Sequence, residues 1–144
     1  MTLQAAYRAA AVSLLTDCAA DANVTMQVYK ARPRSLYPPT GFVDLMRDEV
    51  GPHFGPTVAQ HTPIVEVVTV WGLFDSAEAA DQRDSFVDAF HDWTRENYHE
   101  AGANTLVTVR SLDDIPDFVP DWLPPEEQGP YYATRIVLEG FATD

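Results

Sequence analysis

Eight consecutive residues, Ile64-Val-Glu-Val-Val-Thr-Val-Trp71, limit the possible folds more than any other segment of the chain. β-Branched and aromatic side chains at this density fit a pleated surface and lose rotamer freedom in a helix. The run therefore reads as a strand, central in a sheet and ended by Gly72. The rest of the chain has to supply the neighbouring strands and the layers that cover them.

Residues 3–21 read as a helix. Leu3, Tyr7, Ala10, Leu14 and Cys18 recur at spacings of three and four and share one face, with Thr2 as N-cap and Asn23 as stop. From Val24 to Arg32 the period changes to two, as Val24, Met26 and Val28 alternate with Thr25, Gln27 and Tyr29, the pattern of a half-buried strand. Pro33 removes a ladder donor, and Pro38-Pro39 imposes an extended passage before a short strand, Gly41 to Met46. Arg47 to Thr62, with two prolines, two glycines and two histidines, reads as a long loop. Such a loop joins the strands into an extended hairpin whose tip projects from the body.

Beyond Gly72, Asp75 and Ser76 are capping residues, and Glu78 stands three beyond Asp75 as in a capping box. The helix they open should run to about Ala101, with Gly102 as its left-handed stop. Phe86, Val87, Phe90, Trp93, Asn97 and Tyr98 fall in one sector of it; Glu78, Asp81, Asp84, Asp88, Asp92 and Glu96 fall opposite. Asn104 to Arg110 reads as a strand and Tyr131 to Phe141 as the last one. Between them Ser111 to Pro130, with five prolines and six acids, reads as a loop pinned by Phe118, Trp122 and Leu123. The expected fold is α+β: a mainly antiparallel sheet of about five strands, two amphipathic helices packed on one face, and a long β-hairpin loop. A length of 144 residues suits a single domain over positions 1–144.

Twenty-two acids against nine bases give a formal charge of -13, which repels phosphate backbones and argues against specific nucleic-acid binding. No window approaches the roughly 18 apolar residues of a membrane span. The start, MTLQAAYRAA, lacks the basic and apolar regions of a secretion signal, so a cytoplasmic site of synthesis is expected. The single cysteine, Cys18, has Asp17 and Asp21 beside it, the wrong charge for a reactive thiol.

Motifs for catalysis are missing. The chain has no G-x-S-x-G, no S-x-x-K and no glycine-rich phosphate loop. Its histidines, His53, His61, His91 and His99, lack the spacing of a zinc site. No catalytic, cofactor-binding or metal-binding residue is expected, and the protein is not expected to be an enzyme. A small-molecule-binding or enzymatic α+β domain, with His53 and His61 meeting an acid in a pocket, is the rival reading.

Charge is segregated instead. Lys30, Arg32 and Arg34 place three of the nine bases within five residues. A heterologous contact between copies can join such a patch to an acidic face of the next subunit. The acidic face formed by Asp81, Asp84, Asp88, Asp92 and Glu96 is either simply solvated or borders a channel or partner.

This arrangement resembles the tail terminator, or tail completion, proteins of long-tailed bacteriophages. The resemblance is carried by the N-terminal helix leading into V-Y-K-A-R-P-R and the Leu36-Tyr37-Pro38-Pro39 passage. It continues through the long hairpin, the strand PIVEVVTVWG, the helix SAEAADQRDSFVDAFHDW and the final strand YYATRIVLEG. It implies a structural virion protein that forms a ring, typically a hexamer, at the head-proximal end of the tail tube. Such a ring stops tube polymerisation and offers a joining surface to the head. The implied partners are further copies of the chain, the major tail tube protein and a head-tail connector or stopper protein, with no cofactor, and with DNA passing through the ring. A head-tail stopper or other neck protein is a close variant. Candidate ring or partner contacts, chosen by character, are Lys30, Arg32, Arg34, His53, Phe54 and His61. The acidic helix face and the Ser111–Pro130 segment are two candidate linings of the lumen.

Overall fold

The structure, a computed structural model, describes residues 3–53, 59–73, 76–97 and 106–143. The elements follow in the order α1 (Leu3–Asp21), β1 (Gln27–Tyr29), β2 (Thr40–His53), β3 (Ala59–Leu73), α2 (Ala77–Asn97), β4 (Leu106–Phe118) and β5 (Tyr131–Thr143), with one 3-10 turn at Pro125–Glu127. The five strands form one sheet in the order β1-β2-β3-β5-β4. Only β1 runs parallel to its neighbour; the other three pairings are antiparallel. The expected α+β class and the central position of the Ile64–Trp71 strand are both met.

Helix α1 ends as its sequence requires. Asn23 adopts φ 58°, the left-handed conformation that Asn tolerates better than most residues. The Asn23 amide donates to Ala20 O at 3.1 Å and the Val24 amide to Ala19 O at 2.9 Å, a Schellman closure. That closure shortens the strand expected from Val24. Val24 is buried as the apolar residue beyond the cap, so β1 keeps only Gln27–Tyr29. At α2, Ser76 Oγ accepts from the Ala79 amide at 3.2 Å, so Ser76 is the cap. Asp75, Tyr98, Ala101 and Gly102 lie outside the described residues, as does Thr2.

Two buried clusters lie on the sheet. One joins Tyr7, Leu14, Leu15, Cys18, Phe86 and Phe90 of the helices to Val43, Val65, Val67, Trp71, Ile136 and Leu138 of the strands. The other joins Leu36, Phe42, Val68, Val70, Phe118, Leu123 and Ala133. β3 alternates between them: Val65, Val67 and Trp71 serve the first, Val68 and Val70 the second, as a period of two demands. Residues 119–130 form the pinned loop expected for the C-terminal part of the proline-rich segment. Trp122 stands edge-on to Phe42 at 5.6 Å and donates its Nε1 hydrogen to Pro33 O at 2.9 Å.

Two expected loops are strands. Arg47–His53 and Ala59–Thr62 extend β2 and β3 through the pairs Arg47↔Ile64, Val50↔His61 and His53↔Ala59. β5 accompanies them to Gln60↔Thr143, and β4 accompanies β5 to Leu106↔Phe141. The hairpin is therefore a continuation of the sheet past the helix-side cluster, with a connection at residues 54–58 outside the described residues. Likewise Ser111–Phe118 belongs to β4, through Ser111↔Val137, Asp113↔Arg135 and Ile115↔Ala133. Its edge position explains how Pro116 is accommodated, since one row of backbone groups there has no strand to bond.

Helix α2 and the sheet are also joined by a polar relay. Trp71 Nε1 donates to Thr134 Oγ1 at 3.1 Å, and Thr134 Oγ1 donates to Asp114 Oδ1 at 2.9 Å. Arg83 of α2 completes it with a two-pronged pair, Nε to Asp114 Oδ1 at 3.1 Å and Nη2 to Asp114 Oδ2 at 2.9 Å. A double-mutant cycle of Arg83→Ala and Asp114→Ala is expected to give a coupling of about 1 kcal/mol in thermal or urea unfolding, limited by the partial exposure of both groups.

Cys18 is fully buried in the first cluster. Burial first, then the charges of Asp21 and Asp17, push its thiol from 9.0 up to about 12. Because the folded value is raised, its contribution to stability is complete below about pH 9 and is lost as the pH rises through about 12. Iodoacetamide at pH 8 is expected to leave the native protein unlabelled and to label it fully in denaturant. Labelling of the native chain at the denatured rate would show that α1 does not stay docked.

Candidate functional site

The charged surfaces singled out in the sequence occupy different parts of the fold. The acidic one is on α2. Asp81, Asp84, Asp88 and Asp92 are exposed, while Phe86, Val87 and Phe90 are buried, so the helix divides as its pattern requires. Asp84 pairs with Arg83 at 3.0 Å and Asp92 with Arg95; Asp81, Asp88 and the exposed Glu78 have no ion pair among the described residues. The Glu96 side chain lies outside the described residues. Every residue of the outward stripe from Ala77 through Ala80, Asp81, Asp84, Ser85 and Asp88 has a short side chain.

The basic residues between β1 and β2 do not act alike. Arg32 is tied to its own chain although its side chain is 44% exposed: its Nε lies 2.6 Å from Asp44 Oδ1, and its guanidinium carbon lies 4.5 Å above the centre of the Trp122 ring. The Asp44 side chain is only 6% exposed, and Arg135 approaches its other oxygen at 3.9 Å. A bulge explains how a carboxylate comes to be there. Val43 pairs with Val67 and Leu45 with Glu66, so Asp44 is the extra residue and is turned towards both arginines. The same insertion leaves Leu45 about half exposed. Arg32 thus fastens the β1–β2 connection to the aromatic loop.

Lys30 and Arg34 are exposed and have no carboxylate partner among the described residues. The structure adds a third cation that sequence spacing did not reveal. Arg8 of α1 donates through Nη1 to Lys30 O at 2.5 Å, so its guanidinium sits beside Lys30, 22 positions away in sequence. The only cue in the sequence was a lone arginine among the alanines of the first helix. Between α1 and residues 30–31 runs a groove of about 850 Å³, with Ala5, Ala9, Val12 and Ser13 along it and Arg8 and Lys30 at its rim. A second hollow of about 440 Å³ shares Lys30 with it and is bordered by Arg32, Arg34 and the exposed Tyr37.

The histidines considered for a pocket are on β2 and β3. His53 pairs in register with Ala59 and His61 with Val50, so the ladder does not set them opposite each other. Their side chains, and Phe54 altogether, lie outside the described residues. Among the described residues no three His, Cys, Asp or Glu side chains gather as a metal site would require. Nor is any helix among them long and apolar enough to cross a membrane. No known protein family and no curated protein matches the chain.

Proposed function

We propose that the protein is a ring-forming tail terminator of a long-tailed bacteriophage, which acts by shape and charge with no catalytic step. Copies join head to tail into a ring, a hexamer, on the head-proximal end of the tail tube. The ring ends tube growth and presents a surface to the head-tail connector. The observation that carries this reading is the long antiparallel sheet. Its ladder continues through His53↔Ala59, Gln60↔Thr143 and Leu106↔Phe141, well past Val65 and Leu138 where the helix-side cluster ends. Among the described residues the helix-side cluster does not extend to that end of the sheet, and such a sheet end is suited to packing against other subunits or a tube. The acidic surface of α2 supports the reading, because a negative wall repels passing DNA at short range.

Electron microscopy of tail tubes polymerised with and without the purified protein tests this. The expected result is shorter tubes carrying extra density at one end. Tubes of unchanged length with bare ends would refute it. Binding to a head-side connector, with tube ends ignored, would assign the protein to the neck instead.

A further inference from the structure

Three of the nine basic residues, Arg8, Lys30 and Arg34, have no carboxylate partner among the described residues, although acids outnumber bases by 22 to 9. Arg8 and Lys30 border the groove beside α1, and Lys30 also borders the adjoining hollow that Arg34 lines. In so acidic a chain, a gathering of unpaired cations is the natural seat of an acidic partner. We infer that the groove between α1 and residues 30–31 receives the outward stripe of α2 from a second copy, with Asp81 and Asp88 facing Lys30 and Arg34.

Charge and shape both select this occupant. Asp81 and Asp88 are two helical turns apart on one face and have no ion pair among the described residues. The stripe around them consists of short side chains, and the groove is lined by Ala5, Ala9 and Ser13. Helices with small residues on both facing surfaces can approach to the lower end of the roughly 8–10 Å packing distance, which brings the flanking charges together. The groove and the stripe are different surfaces of one chain, so the contact is heterologous and propagates from copy to copy until a ring closes. Arg32 is not part of it, since its guanidinium is held by Asp44 and Trp122. The inference rests on the ring reading above and names the contact that builds the ring.

Lys30 is the single lysine of the chain, which makes a site-specific test available. A mixture of isotopically light and heavy protein is treated with a carbodiimide, and inter-chain adducts are mapped by mass spectrometry. The expected adducts join Lys30 to Asp81 or Asp88 and exceed those to Asp117, Asp121, Glu126 or Glu127 by about tenfold. Adducts mainly to the latter acids would overturn the inference. As a second measurement, Lys30→Glu with Arg34→Glu should reduce the assembled fraction about tenfold in light scattering, as should Asp81→Lys with Asp88→Lys. All four residues are exposed, so both variants are expected to melt like the wild type. Mixing the two variants restores both halves of each contact and should restore assembly. Normal assembly by either variant alone, or no recovery on mixing, would also overturn it. If wild-type rings form while these results fail, this contact is wrong and the ring reading stands. A wild-type chain that never assembles removes both.

Discussion

Phe90→Asp is expected to abolish folding. Phe90 is 1% exposed and belongs to the cluster that joins α2 to α1, Val67 and Ile136. The basic groups of α2 among the described residues, Arg83 and Arg95, are engaged with Asp114, Asp84 and Asp92 and are not free to neutralise a carboxylate there. An uncompensated buried charge costs about 3–5 kcal/mol, and loss of the ring adds about 3–5 kcal/mol as in a large-to-small core substitution. The sum is comparable with the whole stability of an ordinary domain, about 5–15 kcal/mol. Far-UV circular dichroism and a thermal melt read the outcome. A cooperative transition near that of the wild type would show that α2 is not docked as described. Phe90→Leu, which keeps an apolar side chain, should fold with a modest loss.

Arg32→Glu is expected to be the most damaging change among the surface cations, lowering stability by about 2–4 kcal/mol. The value is held below that of a fully buried pair because the Arg32 side chain is 44% exposed. Removal of the guanidinium leaves the nearly buried Asp44 with Arg135, at 3.9 Å, as its one ion-pair partner among the described residues, and the new carboxylate adds repulsion. It also removes the cation above Trp122, whose ring holds the 119–130 loop against Phe42. Arg34→Glu, a few residues along, should be neutral within about 0.5 kcal/mol. A basic cluster with a purely intermolecular role would instead have both reversals spare the monomer and weaken only assembly. Urea unfolding of the two variants separates these outcomes. Equal midpoints would mean that Arg32 has no internal role.

What could be read from the sequence followed side-chain pattern. α2 has a clear division into apolar and acidic faces, and β3 has the density of β-branched residues that only a central strand needs. α1 was legible in extent but not in facing. Its many alanines give little contrast, so Ala11, Leu15 and Ala19 proved to be buried beside the expected Tyr7, Leu14 and Cys18. The outer halves of β2 and β4 were illegible because their strand character comes from pairing. Arg47–His53 and Ser111–Phe118 are rich in charge, glycine and proline, and they are strands because β3 and β5 offer complete ladders beside them. Bulges were hidden for a related reason. An inserted Asp44 changes which residues face inward without any local signal, and it converts Arg32 from a free cation into a structural one.

The basic patch was half legible. Lys30 and Arg34 could be picked out by their proximity in sequence, whereas Arg8 joins them only through the docking of α1. The acids of α2 were fully legible, because helical spacing alone puts them on one face. Nothing along a single chain encodes which surface another copy would present to them.

The central claim is that this chain works as an assembly of identical copies. Multi-angle light scattering on the purified protein, over a range of concentrations and salt, measures the mass of the particle directly. A discrete species near six times the 16.0 kDa of the chain is expected, dissociating as salt screens the contacts between copies. A mass that stays at that of one chain under every condition, with tube ends present or absent, would contradict the account.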